Sequence, residues 1–316
     1  MAVFERLRMP SLDGATGWLN SEPLGRDELR GRVVLVNFCT LTCINWLRQE
    51  PYVRAWSRAY RDEGLLVVGV HTPEFSFEHE LERVRQAMKE RAIDYPVVLD
   101  NEYEIWSAFD NHYWPALYFA DAEGIVRDQH FGEGRYEQSE RVIQQLLGVE
   151  RDLVSVEAVG VEAQAEWDNL RTPETYLGYA RGERFASPGG AAFGGDRSYE
   201  VPERLPFNAW ALAGEWAFGR ENVVLTQAGG SIVMRFHARD AHLVLSGARE
   251  PIPFRVILDG AAPGASHGVD VDEDGSGVLR EGRMYQLVRQ RGAVRERTLE
   301  ITFLEAGAEA YTFTFG

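Results

Sequence analysis

The sequence predicts an α/β layer domain followed by an all-β domain, a sandwich or jelly roll. Three observations carry this. Apolar runs alternate with helical periodicity through the first ~150 residues, as in chains that build a parallel sheet with helices on its faces. A Gly-rich stretch, SPGGAAFGG, follows at residues 187–195. Beyond it, short alternating segments recur between turn residues, the pattern of an antiparallel sandwich. The chain has 316 residues, 45% hydrophobic and 26% charged, enough for about two domains, each with its own core.

Val33 to Phe38 is a continuous apolar run, expected to be a strand buried on both faces. Leu47 to Glu63 carries Leu47, Tyr52, Val53, Trp56 and Tyr60 at helical spacing. Leu65 to Val70 is a second buried strand and Phe77 to Arg91 a helix. Pro96 to Leu99 is a short strand. Ala116 to Phe119 and Ile125 to Phe131 form a hairpin turning at Asp121–Gly124. Glu137 to Leu147 closes the domain and stops near Gly148. In the second half the expected strands are Val223–Gln227, Ser231–Ala238, His242–Ser246, Phe254–Leu258, Met284–Arg289, Arg297–Phe303 and Ala310–Phe315. The division expected is 1–150 for the α/β domain, 151–180 for a linker or docking segment, and 181–316 for the β domain.

Asp and Glu number 49 against 33 Lys and Arg, a net charge of −16. An acidic chain repels phosphate backbones and anionic bilayers, so neither nucleic acid nor membrane is an expected partner. The N-terminus, MAVFERLRMPSLDG, has Glu5, Arg6 and Arg8 where a signal peptide needs an apolar run, and no stretch is long enough to span a bilayer. A cytoplasmic location is the expectation. No phosphate loop or dinucleotide fingerprint stands out, and no cofactor is expected.

Cys39 and Cys43 are the only cysteines. Two close cysteines in a reducing compartment point to redox chemistry rather than to a disulfide framework. An apolar strand, then Cys43 at a helix start, then Pro51 eight residues on, with Trp114-Pro115 before the strand ALYF, resembles the thioredoxin superfamily. TCIN, HTPEF, YPVVLDN, YWPALYF, HFGEG and TPETYLGY are more specifically similar to the TlpA-like C-terminal region of the DipZ family. The resemblance implies a thioredoxin-like domain followed by a carbohydrate-binding-module-like β domain. It implies thiol–disulfide oxidoreductase activity toward protein or small-molecule thiols and disulfides, with Cys43 as nucleophile. It also implies a substrate groove formed by Thr42, Asn45, Trp46, Trp114 and Pro115, with the last matching the family's cis-proline.

The active motif departs from that family. Where a segment like WTYTCINC is expected, the chain reads Cys39-Thr-Leu-Thr-Cys43-Ile-Asn-Trp46. A Trp and a Cys have exchanged places. A helix N-terminus supports a thiolate at Cys43, but Trp46 cannot resolve a mixed disulfide. Trp46 either covers the sulfur and groove or fills core space. Cys39 either pairs with Cys43, which needs Cα atoms within ~7 Å and converging Cβ vectors, or is buried and inert. His71 and Glu74, beyond the second strand, are candidate proton carriers. The alternatives to an oxidoreductase are a redox-silent binding protein and, from Thr40-x-x-Cys43, a one-Cys peroxidase.

Two features of the second half offer ligands. Asp270, Asp272, Asp274, Gly275 and Glu281 match a calcium-loop spacing, with a solvated acidic turn as the plainer reading. Tyr199, Phe207, Trp210 and Trp216 are either a sugar-stacking platform or core. A carbohydrate or protein ligand of the β domain is the corresponding expectation.

Overall fold

The computed structural model describes residues 8–247 and 250–316; Glu5 and Arg6, on which the reading of the N-terminus partly rested, lie outside them. The chain forms two compact units that divide between Glu162 and Ala163. Among the described residues no helix is long and apolar enough to cross a membrane.

The first unit runs β1 (Gly17–Leu19), α1 (Arg26–Leu29), β2 (Val33–Cys39), α2 (Ile44–Tyr60), β3 (Leu65–His71), a 3-10 turn (Ser76–His79), α3 (Leu81–Glu90), β4 (Val97–Leu99), α4 (Glu104–Ala108), β5 (Ala116–Ala120), β6 (Val126–Phe131) and α5 (Tyr136–Leu147). Its sheet has the order β1-β4-β3-β2-β5-β6. The sheet is mixed rather than mainly parallel. Strands β2, β3 and β4 are parallel, with antiparallel β1 on one side and the β5–β6 hairpin on the other. Every residue of β2 is buried, as its unbroken apolar run requires of a central strand. Phe38 meets Trp106, Phe109 and Tyr118 edge-on, at centroid distances of 5.7, 5.2 and 5.7 Å. These contacts anchor the end of the strand that leads into the cysteines.

The expected helix from Phe77 to Arg91 is two pieces. Glu80 is extended (φ −73°, ψ 112°) between the 3-10 turn and α3, so an apolar spacing that looks continuous passes through a break. The β5–β6 turn forms as predicted, with the Asp121 carboxylate accepting the amides of Glu123 and Ile125. Helix α5 ends on Gly148 in the left-handed region (φ 69°), and the Val149 amide returns to Gln144 O, the usual glycine stop.

The strands of the second unit pair antiparallel with one another: β7 (Thr175–Tyr176), β8 (Asp196–Tyr199), β9 (Trp210–Phe218), β10 (Val223–Leu225), β11 (Ser231–His237), β12 (Asp240–Ser246), β13 (Ile252–Leu258), β14 (Ser276–Leu279), β15 (Arg283–Arg289), β16 (Glu296–Phe303) and β17 (Glu309–Phe315). The main path is β14-β13-β16-β11-β9-β10-β17-β12-β15. Strand β9 joins its two halves. Residues 210–213 pair with β11, and residues 216–218 pair with β10. The crossover is Gly214, at φ 90°, where a Cβ would come 2.9 Å from Gly230 Cα. A glycine is needed there on both counts.

Trp210, Trp216 and Tyr199 lie in the core of this unit. The two indole N–H groups donate to backbone carbonyls, Glu183 O and Ala213 O. These three aromatics are packing residues, the second of the two readings; Phe207 alone of the four is exposed. The acidic loop has these contacts. Asp270 accepts from Arg283 Nη2 at 2.6 Å and from the Gln286 amide at 2.8 Å. Asp272 closes its own turn onto the Ser276 amide, and Glu281 pairs with Arg283. Asp270, Asp272 and Glu281 are thus engaged by arginine and backbone. No cluster of three or more metal-ligating side chains occurs among the described residues.

Candidate active site

Strand β2 delivers Cys39 at its end, and Thr40-Leu41-Thr42 turn the chain into α2. Cys43 is the N-cap of that helix, in extended backbone (φ −73°, ψ 113°). Its carbonyl accepts the Leu47 amide at 3.0 Å. Cys43 is half-buried, and its sulfur stands at the end of a helix whose partial positive charge favours an anion. Opposite is the cis peptide Trp114-Pro115, and Cys43 Sγ lies 3.7 Å from Trp114 O. Asn45 and Trp114 are half-buried, and Pro115 and Thr42 are buried. Tyr113 (55% exposed) and Phe131 (39% exposed) meet with tilted rings 5.2 Å apart next to the proline loop; the sequence reading had not picked out this exposed pair.

The two exchanged residues have moved inside. Trp46 has no exposed surface, and Arg91 lies over its ring at 5.7 Å. It fills core space and is not a groove wall. Cys39 is 2% exposed, with Sγ 3.5 Å from Val70 O. No disulfide joins the cysteines. Burial first, then the nearby Glu78, Cys43 and Glu50, push the Cys39 thiol well above its ordinary pKa of 9.0, so it stays protonated.

His71 pairs in register with Cys39 across β2 and β3. It is completely buried, and that burial, with His79 adding to it, lowers its pKa to about 3. A ring that stays neutral across the physiological range is a poor proton carrier. Glu74 is half-buried, and it is its backbone amide, donating to Glu78 Oε2 and Thr40 Oγ1, that enters the site network.

The residue that sequence reasoning missed is Glu78, in the 3-10 turn and fully buried. Its Oε1 accepts the amide and hydroxyl of Thr42, both at 3.0 Å. Its Oε2 accepts the Thr40 hydroxyl at 2.8 Å and the amides of Glu74 and Phe75 at 2.8 and 3.0 Å. Burial pushes this carboxyl up to about 7, opposed by the donors around it. Beside the site, Arg48 of α2 reaches Glu133 Oε1 at 3.0 Å, with the two side chains 2% and 5% exposed. Glu133 follows Gly132, whose amide donates to Pro115 O at 2.8 Å, so this ion pair ties the cysteine helix to the proline loop.

Deeper in α2, Glu50 is completely buried, with Arg54 at 3.7 Å, and burial raises it to about 7 from an ordinary 4.5, opposed by Arg54, Arg91 and Arg58. A carboxyl that binds its proton more tightly when folded stabilises the fold fully below its unfolded pKa, and that stabilisation is lost as pH rises toward the folded value. The Glu50 contribution is therefore expected to fall by about 2–3 kcal/mol between about pH 4.5 and 7, with Glu78, raised to about 7, acting in the same direction and His71, lowered to about 3, in the opposite one. Urea unfolding at pH 5 and pH 8 checks it. Glu50→Gln should make the change from pH 5 to pH 8 less unfavourable than in wild type by about 2–3 kcal/mol, and an unchanged pH dependence in that variant would rule Glu50 out as a source.

Residues 11–129 match the AhpC/TSA family model and residues 172–316 the thioredoxin-like C-terminal domain model. The thiol-disulfide oxidoreductase YkuV of Bacillus subtilis is 32% identical over 130 residues, which cover 85% of that protein and 41% of this chain. The chain belongs to the thioredoxin-like redoxins. This redoxin is also 37% identical over 243 residues to protein DipZ of Mycobacterium tuberculosis, a match covering 75% of the redoxin and 35% of DipZ. It thus spans about a third of the length of that relative. A solution structure of a thioredoxin-like protein in the oxidized form is 29% identical and covers 46% of the redoxin and 98% of the solved chain, with a TM-score of 0.43.

Proposed function

We propose that the protein exchanges thiols and disulfides through Cys43 alone. The Cys43 thiolate attacks one sulfur of a substrate disulfide, forming a mixed disulfide and releasing the other sulfur as a thiolate. An external thiol, as its thiolate, then attacks the mixed disulfide and returns Cys43 as a thiolate. One half of the substrate leaves as a thiolate and the other leaves joined to the external thiol, and a second external thiolate, attacking that product, completes the reduction of the substrate as the two external thiols become a disulfide. The observation that carries this reading is the contrast between the two sulfurs. Cys43 is half-buried at the helix N-cap, with its sulfur 3.7 Å from Trp114 O, whereas Cys39 is fully buried with its sulfur against Val70 O. The resolving position holds Trp46, also buried.

The peroxidase reading loses its support at Thr40, whose hydroxyl is held by the Glu78 carboxylate and so is not available to a peroxide. The test is equilibration of the native protein in graded glutathione buffers, followed by mass spectrometry. A glutathione adduct on Cys43 only is the expected result. A reversible Cys39–Cys43 disulfide would replace the single-thiol route with a dithiol one. No modification of either would leave a redox-silent binding protein.

A further inference from the structure

We propose that Glu78 is a positioning residue for the Cys43 reaction: its buried carboxylate holds the Thr40–Thr42 turn that places Cys43 at the start of α2, opposite the cis-proline loop. The inference rests on the single-thiol reading of Cys43 given above.

The geometry is specific. Three of the donors to Glu78 come from the turn itself: the Thr40 hydroxyl and the amide and hydroxyl of Thr42. Two more, the amides of Glu74 and Phe75, come from the connection that carries Glu78. One carboxylate therefore staples that connection to the three residues before the reactive sulfur. Both threonines are buried, at 0% and 1% exposure, so water cannot replace the carboxylate as acceptor without the turn opening. A buried donor left without its acceptor is costly, which makes the turn's conformation conditional on Glu78. The turn in turn sets the first bond of the helix cap, Cys43 N to Thr40 O at 3.3 Å. The titratable groups that face Glu78 are Glu74 on its own connection and Cys39 on β2. Neither is a cation, so the carboxylate is held by hydrogen bonds from neutral groups.

The test has a signed outcome. Alkylation of Cys43 by iodoacetamide is followed by peptide mass spectrometry across pH 5 to 9, in wild type, Glu78→Gln and Thr42→Val. As a nearby negative charge and nothing more, Glu78 disfavours the thiolate, so its removal would shift the rate profile to lower pH. As a positioning residue it keeps the sulfur at the helix end. Glu78→Gln should then shift the profile to higher pH by about half a unit or more, roughly threefold slower alkylation near neutrality. Thr42→Val removes one hydroxyl donor and keeps its amide. It should shift the profile the same way by less, and it carries the test if Glu78→Gln does not fold. A shift to lower pH, or no shift in folded variants, overturns the proposal. Wild-type Cys43 that fails to react with iodoacetamide or glutathione sinks the single-thiol reading instead.

Discussion

Cys43→Ser is expected to reduce thiol–disulfide exchange to background, a loss on the order of 10³-fold or more, as when the sole nucleophile of a covalent mechanism is removed. Cys39→Ala is expected to change the rate by less than about threefold, since a buried, protonated thiol contributes no nucleophile. The pair of variants is read with a protein or dithiol substrate and an external thiol as reductant. The contrast between them is the diagnostic. If both variants lose exchange equally, Cys39 resolves the mixed disulfide, and its sulfur must leave Val70 O to do so. Trp46 gives no help in either case. It lies one helical turn from Cys43, but it is completely buried and has no thiol.

Glu133→Gln is expected to destabilise the first unit by about 3–5 kcal/mol, because it leaves the buried Arg48 guanidinium without its counter-charge. Arginine cannot shed its proton to escape the penalty. The reverse change, Arg48→Met, is expected to cost less. Glu133 is already raised by its burial, with Arg48 pulling it down, so without Arg48 it can take up a proton and become neutral. The double variant, Arg48→Met with Glu133→Leu, should recover most of the loss. Denaturant unfolding of all three checks the order. Equal costs for the two single changes would mean that the pair is solvated rather than buried. Because the pair links α2 to the loop bonded to Pro115, Glu133→Gln should also slow Cys43 more than Cys39→Ala does.

Much of this was legible in the residues. Strands β2 and β3 announce themselves because central strands must be apolar on both faces, and Pro51 and Trp114-Pro115 mark the redoxin domain. The hairpin is written in Asp121 and Gly124. What escaped has physical reasons. Strand β9 reads WALAGEWAF, whose alanines and mid-strand glycine break the alternation that marks a strand; only its pairing with β11 and then β10 explains the sequence. Glu78 stands among Glu74, Glu80 and Glu82 with nothing local to set it apart. Its role depends on the fold bringing the 3-10 turn against Thr40 and Thr42. The place of Cys39 was likewise undecidable from spacing. A C-x-x-x-C across a strand-to-helix turn allows the sulfurs to converge or diverge, and the strand's pleat settles it by pointing Cys39 into the interior.

Strand β9 also bears on how the second unit comes apart. Each half of the main sheet path borrows its innermost strand from the same nine residues, Trp210–Phe218. Opening either half pulls on a segment that the other half still holds, so the two halves are thermodynamically coupled. Amide exchange in β11 and in β10 should then proceed by one shared opening event rather than two independent ones.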